Sequence, residues 1–147
     1  MKRYYLLKKG HVDNPLNDFG EKQARAAGKS LHNVKYHKAY TSDLKRAFRT
    51  CELILDENKM SKIIPSDIKQ DERIREQSFG KYENTKLSDF IQAAIKAGGN
   101  FDEFCLETME DNESVKNRTK DFFDSLITKV IHFVSSYTLN FFMMFQF

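Results

Sequence analysis

The sequence has no tryptophan, two cysteines, two prolines and six glycines in 147 residues. Together with 40% apolar and 31% charged residues, so few prolines and glycines exclude disordered and collagen-like chains. The cysteines, Cys51 and Cys105, are too few for a disulfide framework and form no CxxC pair, so we expect reduced thiols and no metal site. The net charge is small as well, since 24 Lys and Arg residues against 21 Asp and Glu residues leave +3. That excess is too mild to predict binding to nucleic acid.

Long apolar runs are scarce too. Residues 4–7 form an apolar run of only four, far shorter than the core of a signal peptide, so we expect a cytoplasmic protein. Residues 130–147 carry no charge, and this length of 18 is the lower limit for a membrane-spanning helix. His132, Ser135 and Asn140 make the segment too polar to insert comfortably. A packed final element or a foreign tail is therefore the favoured interpretation, and a membrane anchor is the weaker alternative.

What the sequence does contain is typical of one globular domain. Apolar residues make up 40% and charged residues 31% of a chain that is long enough to bury a core. The composition changes near the C-terminus, where seven of the 13 phenylalanines follow Asp121. We therefore expect a domain over residues 1–126 and an apolar, charge-poor tail over residues 127–147, whose structure the pattern does not predict.

The spacing of the apolar residues alternates between strand-like and helix-like. Short runs at residues 4–7 and 38–41 predict buried strands, and residues 68–74 are predicted to be extended. Helical spacing predicts four helices: 17–31 with a cap at Asn17 or Asp18, 44–57 after a cap at Ser42, 87–95, and 115–130. Strands that alternate with helices of this length indicate an α/β domain with a largely parallel sheet.

One candidate site follows the second predicted strand. In open α/β sheets, ligands bind beyond the carboxyl ends of the strands, where helix N-termini gather. At residues 40–46 the free amides and the positive dipole end of a helix would favour an anion, and Arg46 adds a fork of donors that matches phosphate oxygens. From spacing alone, the stronger alternative is that Arg46, like Arg49, is a solvated charge paired with a nearby acid. The acids within reach are Glu52 and Asp43.

A second candidate is the run of alternating charge at residues 71–76, which ends in Glu76. Because a carboxylate among arginines normally has a lowered pKa, such a run suits ion pairs better than a proton donor. A general acid here would need partial burial, or a substrate phosphate close by that raises its pKa again. Spacing alone favours a solvated cluster of salt bridges.

Three motifs acquire a meaning when they are taken together. They are Leu16-Asn17-Asp18-Phe19-Gly20-Glu21-Lys22-Gln23-Ala24, then Ala39-Tyr40-Thr41-Ser42-Asp43-Leu44-Lys45-Arg46-Ala47 with Thr50, then Asp71-Glu72-Arg73-Ile74-Arg75-Glu76 with Gly80. In this order and at this spacing they resemble the histidine phosphatase superfamily, which includes phosphoglycerate mutases and fructose bisphosphatases. Residues 12–16 and 31–36 look most like the fructose-2,6-bisphosphatases of the TIGAR type.

The resemblance implies a fold, a reaction and two site residues. The fold would be a three-layer α/β/α domain of the phosphoglycerate mutase type. In that family a histidine of an Arg-His-Gly motif attacks phosphorus, while arginines and a second histidine, in a late Ser-His-Gly motif, stabilise the phosphoryl oxygens. Matched by motif, Arg46 would bind the substrate phosphate and Glu76 would protonate the leaving oxygen. The substrate would be a small phosphorylated sugar or glycerate, foremost fructose 2,6-bisphosphate at its 2-phosphate, without metal or cofactor.

The sequence departs from the family at both catalytic histidines. His11 lies only five residues before Leu16, too close for the family's usual loop, so a loop histidine is favoured over a nucleophile. Ser136 stands where the second histidine would belong in a faint echo of the late motif. We therefore expect an incomplete, truncated domain with impaired phosphatase activity. The alternative is an inactive truncated product or a module that binds a phosphorylated ligand, and the oligomeric state is not predicted.

Overall fold

The structure is a computed structural model that describes residues 10–98, 101–131 and 142–143. Its elements are the helices α1 (Asp18–Ser30), α2 (Lys45–Glu57), α3 (Leu87–Lys96), α4 (Phe101–Thr108) and α5 (Asn112–Ile131), the strands β1 (Ala39–Thr41), β2 (Lys69–Gln70) and β3 (Phe142–Met143), and short 3-10 turns at Pro65–Asp67, Glu72–Ile74 and Gly80–Tyr82. The strand predicted at residues 4–7 lies outside the described residues.

The described strands form one parallel sheet. Strand β1 lies in the middle, with β2 on one side and β3 on the other, and both neighbours run parallel to it. Tyr40 of β1 pairs with Lys69 of β2 and with Met143 of β3. The predicted parallel sheet is confirmed, and the carboxyl ends of β1 and β2 therefore meet at one edge.

Helices cover both faces of β1, because successive side chains of a strand point to opposite sides. Ala39 is fully buried in a cluster that α1 and α2 supply. Tyr40 packs on the other side against Phe122 of α5, with ring centroids 5.7 Å apart. This is the predicted three-layer arrangement. It leaves the carboxyl end of β1 between the two helical layers.

Helices α1 and α2 begin and end close to their predicted bounds. Asn17 caps α1 as expected, since its side chain accepts a hydrogen bond from the amide of Gly20 at 2.8 Å. One face of α2 packs toward α1 and β1 and buries Cys51, Leu53 and Ile54. The helical spacing of the sequence therefore reflects a real buried face.

The close approach of α1 to α2 depends on Gly28. A methyl group there would lie 2.7 Å from the carbonyl oxygen and 2.9 Å from the Cα of Ile54, both main-chain atoms that cannot swing away. We expect Gly28→Ala to lower the free energy of unfolding by about 1–2 kcal/mol in chemical denaturation, although alanine is the better helix former by about 1 kcal/mol.

The matched control for this prediction is Gly20→Ala in the same helix. Its methyl group would meet mainly the flexible end of the Leu16 side chain, which can move aside. We expect Gly20→Ala to be neutral or slightly stabilising. If both variants gained stability, the main-chain contact at Gly28 would be contradicted.

Two segments differ from their predictions. Residues 68–74 were expected to be extended, but only Lys69–Gln70 pairs in the sheet and Glu72–Ile74 closes into a 3-10 turn, where the Asp71 side chain accepts from the amide of Arg73. Helix α4 was not predicted. It has only eight residues, about two turns, so it gives too few repeats for a periodic signal.

Helix α5 continues through residue 126 to Ile131. The division of the chain at residue 126 stays a prediction, since residues 132–141 and 144–147 of the proposed tail lie outside the described residues. Within the described ranges, no helix combines the length and apolar character that a membrane crossing requires.

Candidate active site

The first turn of α2 follows β1 after a link of three residues. Ser42 was expected to cap this helix, but the prediction is wrong: the helix begins at Lys45, and the residue at the cap position, Leu44, makes no side-chain bond. Asp13 takes over that role, because its Oδ1 accepts from the amide of Lys45 at 2.7 Å and its Oδ2 lies 3.0 Å from the Lys45 ammonium. A carboxylate already occupies the position where an external anion was expected.

Arg46 is buried, with 11% of its side chain exposed. Its Nη1 donates to the carbonyl oxygen of Val12 at 2.6 Å, and its Nη2 donates to that of Gly10 at 2.6 Å. Nη2 also lies 3.3 Å from Oε2 of Glu76. The solvated alternative favoured by spacing is therefore wrong for Arg46. It holds for Arg49, which pairs with Glu52 and Glu21 at the surface.

Arg46 and Glu76 thus lie together, at the carboxyl end of β1 and beside the first turn of α2. The Glu76 carboxylate is 31% exposed, so one oxygen can meet the guanidinium while the group stays open to a ligand. The structure brings together the two residues that the family resemblance singles out. Their roles as phosphate ligand and proton donor stay predictions.

His11 lies in a turn, as expected of a loop residue, but its ring reaches the site. Nε2 is 2.9 Å from the carbonyl oxygen of Glu76, which can only accept, so we assign the proton of the neutral ring to Nε2. The His11 amide donates to Oε1 of Glu83 at 2.9 Å. His11 is the histidine that the described part of the chain places against Glu76.

The charge run consists mainly of ion pairs, as spacing predicted. Arg73 binds Asp71 through two nitrogens, and Arg75 reaches across to both oxygens of Asp43, one of them 2.6 Å from Nε. The hydrogen bonds from Arg75 hold the pKa of Asp43 below its ordinary value. Asp43 is therefore bound to Arg75 and not to Arg46 or Arg49.

This lowered pKa gives a pH-dependent contribution to stability. Because the folded pKa lies below the unfolded one, the contribution is present above the ordinary aspartate pKa of about 3.8 and is lost as the pH falls through the folded value. We expect Asp43→Asn to reduce the free energy of unfolding at neutral pH, and the difference from wild type to shrink toward zero in acid. The measurement is chemical denaturation from pH 7 to pH 2.

The partner residue provides the check on this pH dependence. In an Arg75→Gln background, Asp43 has lost its main hydrogen-bond donor, so Asp43→Asn should cost much less at neutral pH and vary little with pH. An unchanged pH profile in that background would contradict the assignment to Arg75.

Burial excludes the described cysteine from this chemistry. Cys51 is completely buried, and burial raises the pKa of its thiol to about 12. A thiol that stays protonated at neutral pH is not a nucleophile.

Sequence reasoning missed Arg118 and Glu110, which lie directly behind the segment of Glu76. Each has 17% of its side chain exposed. A signal was present, because Arg118 comes three residues after Val115 and four before Phe122, on the apolar stripe of α5. A charged residue on such a stripe must find partners inside the fold.

Comparison with known protein families identifies the family to which the sequence belongs. Residues 5–132 match the profile of the "Histidine phosphatase superfamily (branch 1)". The chain belongs to the histidine phosphatase superfamily. The resemblance carried by the three motifs is thereby confirmed.

Curated relatives include two vertebrate phosphatases. The chain is 38% identical over 126 residues to the fructose-2,6-bisphosphatase TIGAR of Xenopus tropicalis. The aligned region covers 86% of this chain and 45% of that protein. It is also 38% identical over 120 residues to the fructose-2,6-bisphosphatase TIGAR of Mus musculus, and the aligned region covers 82% of this chain and 44% of that protein. This histidine phosphatase chain therefore spans less than half the length of these relatives.

Solved structures confirm the phosphoglycerate mutase-like fold. YhfR of Bacillus stearothermophilus superposes with a TM-score of 0.71 at 25% identity, over 96% of this chain and 65% of that one. A phosphoglycerate mutase from Bacillus anthracis superposes with a TM-score of 0.68 at 28% identity, and the superposition covers 82% of this chain and 60% of the mutase chain.

Proposed function

We propose that this chain is a cytoplasmic, phosphatase-type module that holds the phosphoryl group of a small phosphorylated sugar or glycerate at the carboxyl end of β1. The observation that carries the proposal is the contact of 3.3 Å between Arg46 and Glu76 beside the first turn of α2. The guanidinium supplies positive charge for phosphoryl oxygens, and the carboxyl group can supply a proton to a leaving oxygen.

The favoured substrate is fructose 2,6-bisphosphate, by likeness to the TIGAR relatives. In its hydrolysis the bond between phosphorus and the C2 oxygen breaks, Glu76 protonates that oxygen, and water supplies the new oxygen of the released phosphate. In the family a histidine carries the phosphoryl group between these steps. Neither an Arg-His-Gly nor a Ser-His-Gly motif occurs in this sequence. Without the covalent route, turnover is expected to be strongly impaired.

The contacts of Arg46 also predict that a phosphorylated ligand binds only weakly. Its donors already meet the carbonyl oxygens of Gly10 and Val12, and Asp13 holds the first amide of α2. A phosphate that took over these donors would have to displace residues 10–13, and it would approach the negative charge of Asp13. For this reason a non-catalytic module that binds a phosphorylated ligand is the second candidate function.

Two measurements on the full chain test the proposal. Calorimetric titration with inorganic phosphate should show saturable binding. Release of fructose 6-phosphate from fructose 2,6-bisphosphate should stay close to the uncatalysed background, and Glu76→Gln should remove any turnover above it. Absence of phosphate binding would contradict both candidate functions.

A comparison of two histidine variants tests the impairment. His11→Ala should change the low turnover little, because Arg118 still holds the carbonyl oxygen of Glu76 that His11 contacts. The control His32→Ala should leave turnover unchanged, since its exposed ring contacts only the carbonyl oxygen of Lys29 among the described hydrogen bonds. Robust turnover of the wild type that disappears in His11→Ala and persists in His32→Ala would contradict the impairment. It would show that His11 takes part in turnover, either as the nucleophile or through its contact with the carbonyl oxygen of Glu76.

A further inference from the structure

An ion pair with little solvent exposure lies behind the segment that carries Glu76. Arg118 is in the second turn of α5, and Glu110 lies just before that helix. Nε of Arg118 donates to Oε1 of Glu110 at 2.7 Å, and Nη2 donates to Oε2 at 3.0 Å. Two parallel hydrogen bonds fix the plane of the guanidinium as well as its position.

The remaining donors of Arg118 all meet one stretch of main chain. Nη1 donates to the carbonyl oxygens of Arg73 at 2.6 Å and Arg75 at 2.7 Å, and Nη2 donates to that of Glu76 at 3.0 Å. An arginine side chain has five N–H groups, so all of them have an acceptor here. One side chain thereby fixes three carbonyl groups of the segment that carries Glu76.

The main chain beyond Glu76 is tied to the same ion pair. Oε2 of Glu110 accepts from the amide of Ser78 at 3.0 Å, and the Glu110 amide donates to the Ser78 carbonyl oxygen at 3.0 Å. Burial alone would raise the pKa of Glu110, but the hydrogen bonds from Arg118 and the Ser78 amide outweigh it and lower the pKa. Glu110 therefore stays ionised at neutral pH and keeps its hold on Arg118.

The second contact on the Glu76 carbonyl oxygen comes from the opposite end of the chain. Nε2 of His11 lies 2.9 Å from this oxygen, which Arg118 also binds. The carbonyl oxygen of Glu76 is thus held by two side chains, while its carboxylate remains 31% exposed beside Arg46.

We propose that Arg118, held by Glu110, is a positioning residue that sets the main chain of Glu76 so that its carboxylate meets Arg46. The inference rests on the proposed function only in taking Glu76 as the proton donor. A proton donor must lie within hydrogen-bond reach of the leaving oxygen, and a displacement of about 1 Å can cost a large factor in rate. Arg118 acts on this geometry from behind and does not touch the ligand.

The test is the coupling between Arg46 and Glu76, which a double-mutant cycle of Arg46→Met and Glu76→Gln measures by chemical denaturation. We expect Arg118→Gln to remove more than about half of the coupling found in the wild-type background. A merely structural role would lower stability and leave the coupling. Leu126→Ala is the control, since it destabilises the same helix through the core and should leave the coupling intact.

A milder variant keeps the test decisive if Arg118→Gln does not fold. Glu110→Gln removes the charge that holds Arg118 but retains an acceptor oxygen, so we expect a smaller loss of coupling. An unchanged coupling in the folded variants would overturn the positioning role. The coupling does not depend on turnover, so absent phosphate binding would contradict the proposed function and leave this result standing.

Discussion

Replacing Arg46 with methionine is expected to lower the free energy of unfolding by about 2–4 kcal/mol and to abolish phosphate binding. The guanidinium donates to two main-chain carbonyl oxygens and to Glu76. Methionine keeps much of the apolar packing but leaves these acceptors without a donor. Because the Glu76 carboxylate is 31% exposed, water recovers part of the loss, and the effect stays below that of a fully buried pair.

Arg25→Met is the matched control for this substitution. Arg25 pairs with Glu57 at 3.1 Å, but 42% of its side chain is exposed, so we expect a change of less than about 1 kcal/mol. Chemical denaturation and calorimetric titration with phosphate measure both variants. Equal losses of stability in the two variants would show that the buried donors of Arg46 contribute no more than a surface ion pair.

The sequence predicted the elements whose burial repeats along the chain. Helix α2 could be predicted because it buries one face over 13 residues, and a face of that length produces a clear period. Strand β1 has only three residues, but it could be predicted because its short apolar run lies between the helical patterns of α1 and α2. Helix α4 was missed because two turns give almost no period, and only the packing of Phe104 against Phe90 in the folded chain reveals its buried face.

The surroundings of Arg46 could not be predicted from spacing. Its main acceptors, the carbonyl oxygens of Val12 and Gly10, lie 34 and 36 residues earlier in the chain. Every residue has a main-chain carbonyl group whatever its side chain, so a sequence pattern cannot predict which of these groups will accept a hydrogen bond. Only the family resemblance paired Arg46 with Glu76, and it did so without indicating that residues 10–13 also occupy the site.

Arg118 was missed for a different reason. An arginine in a helix is usually a surface residue, and its neighbours Lys116 and Lys120 are indeed exposed and paired along the helix. Only its position in line with Val115 and Phe122 distinguishes Arg118. Its main-chain acceptors lie 42 to 45 residues away in the segment of Glu76, where spacing had indicated only surface ion pairs.

Phe122→Ala is expected to lower the free energy of unfolding by about 3–5 kcal/mol, a large part of the stability of an ordinary domain. The Phe122 side chain is 1% exposed and packs edge-on against Tyr40 of β1. The guanidinium carbon of Arg73 lies 5.5 Å from the centre of its ring. The residue therefore joins α5 both to the sheet and to the segment that carries Glu76. Chemical denaturation measures the loss.

Phe19→Ala provides the comparison, since Phe19 is 68% exposed and its loss should change stability by less than about 0.5 kcal/mol. A loss below about 1.5 kcal/mol in Phe122→Ala would mean that the surrounding side chains collapse into the cavity, or that α5 does not pack on β1. The second case would remove the helical layer that holds Arg118. Because Arg118 binds the main chain of Glu76 from that layer, the stability of Phe122→Ala also tests the support of the candidate site.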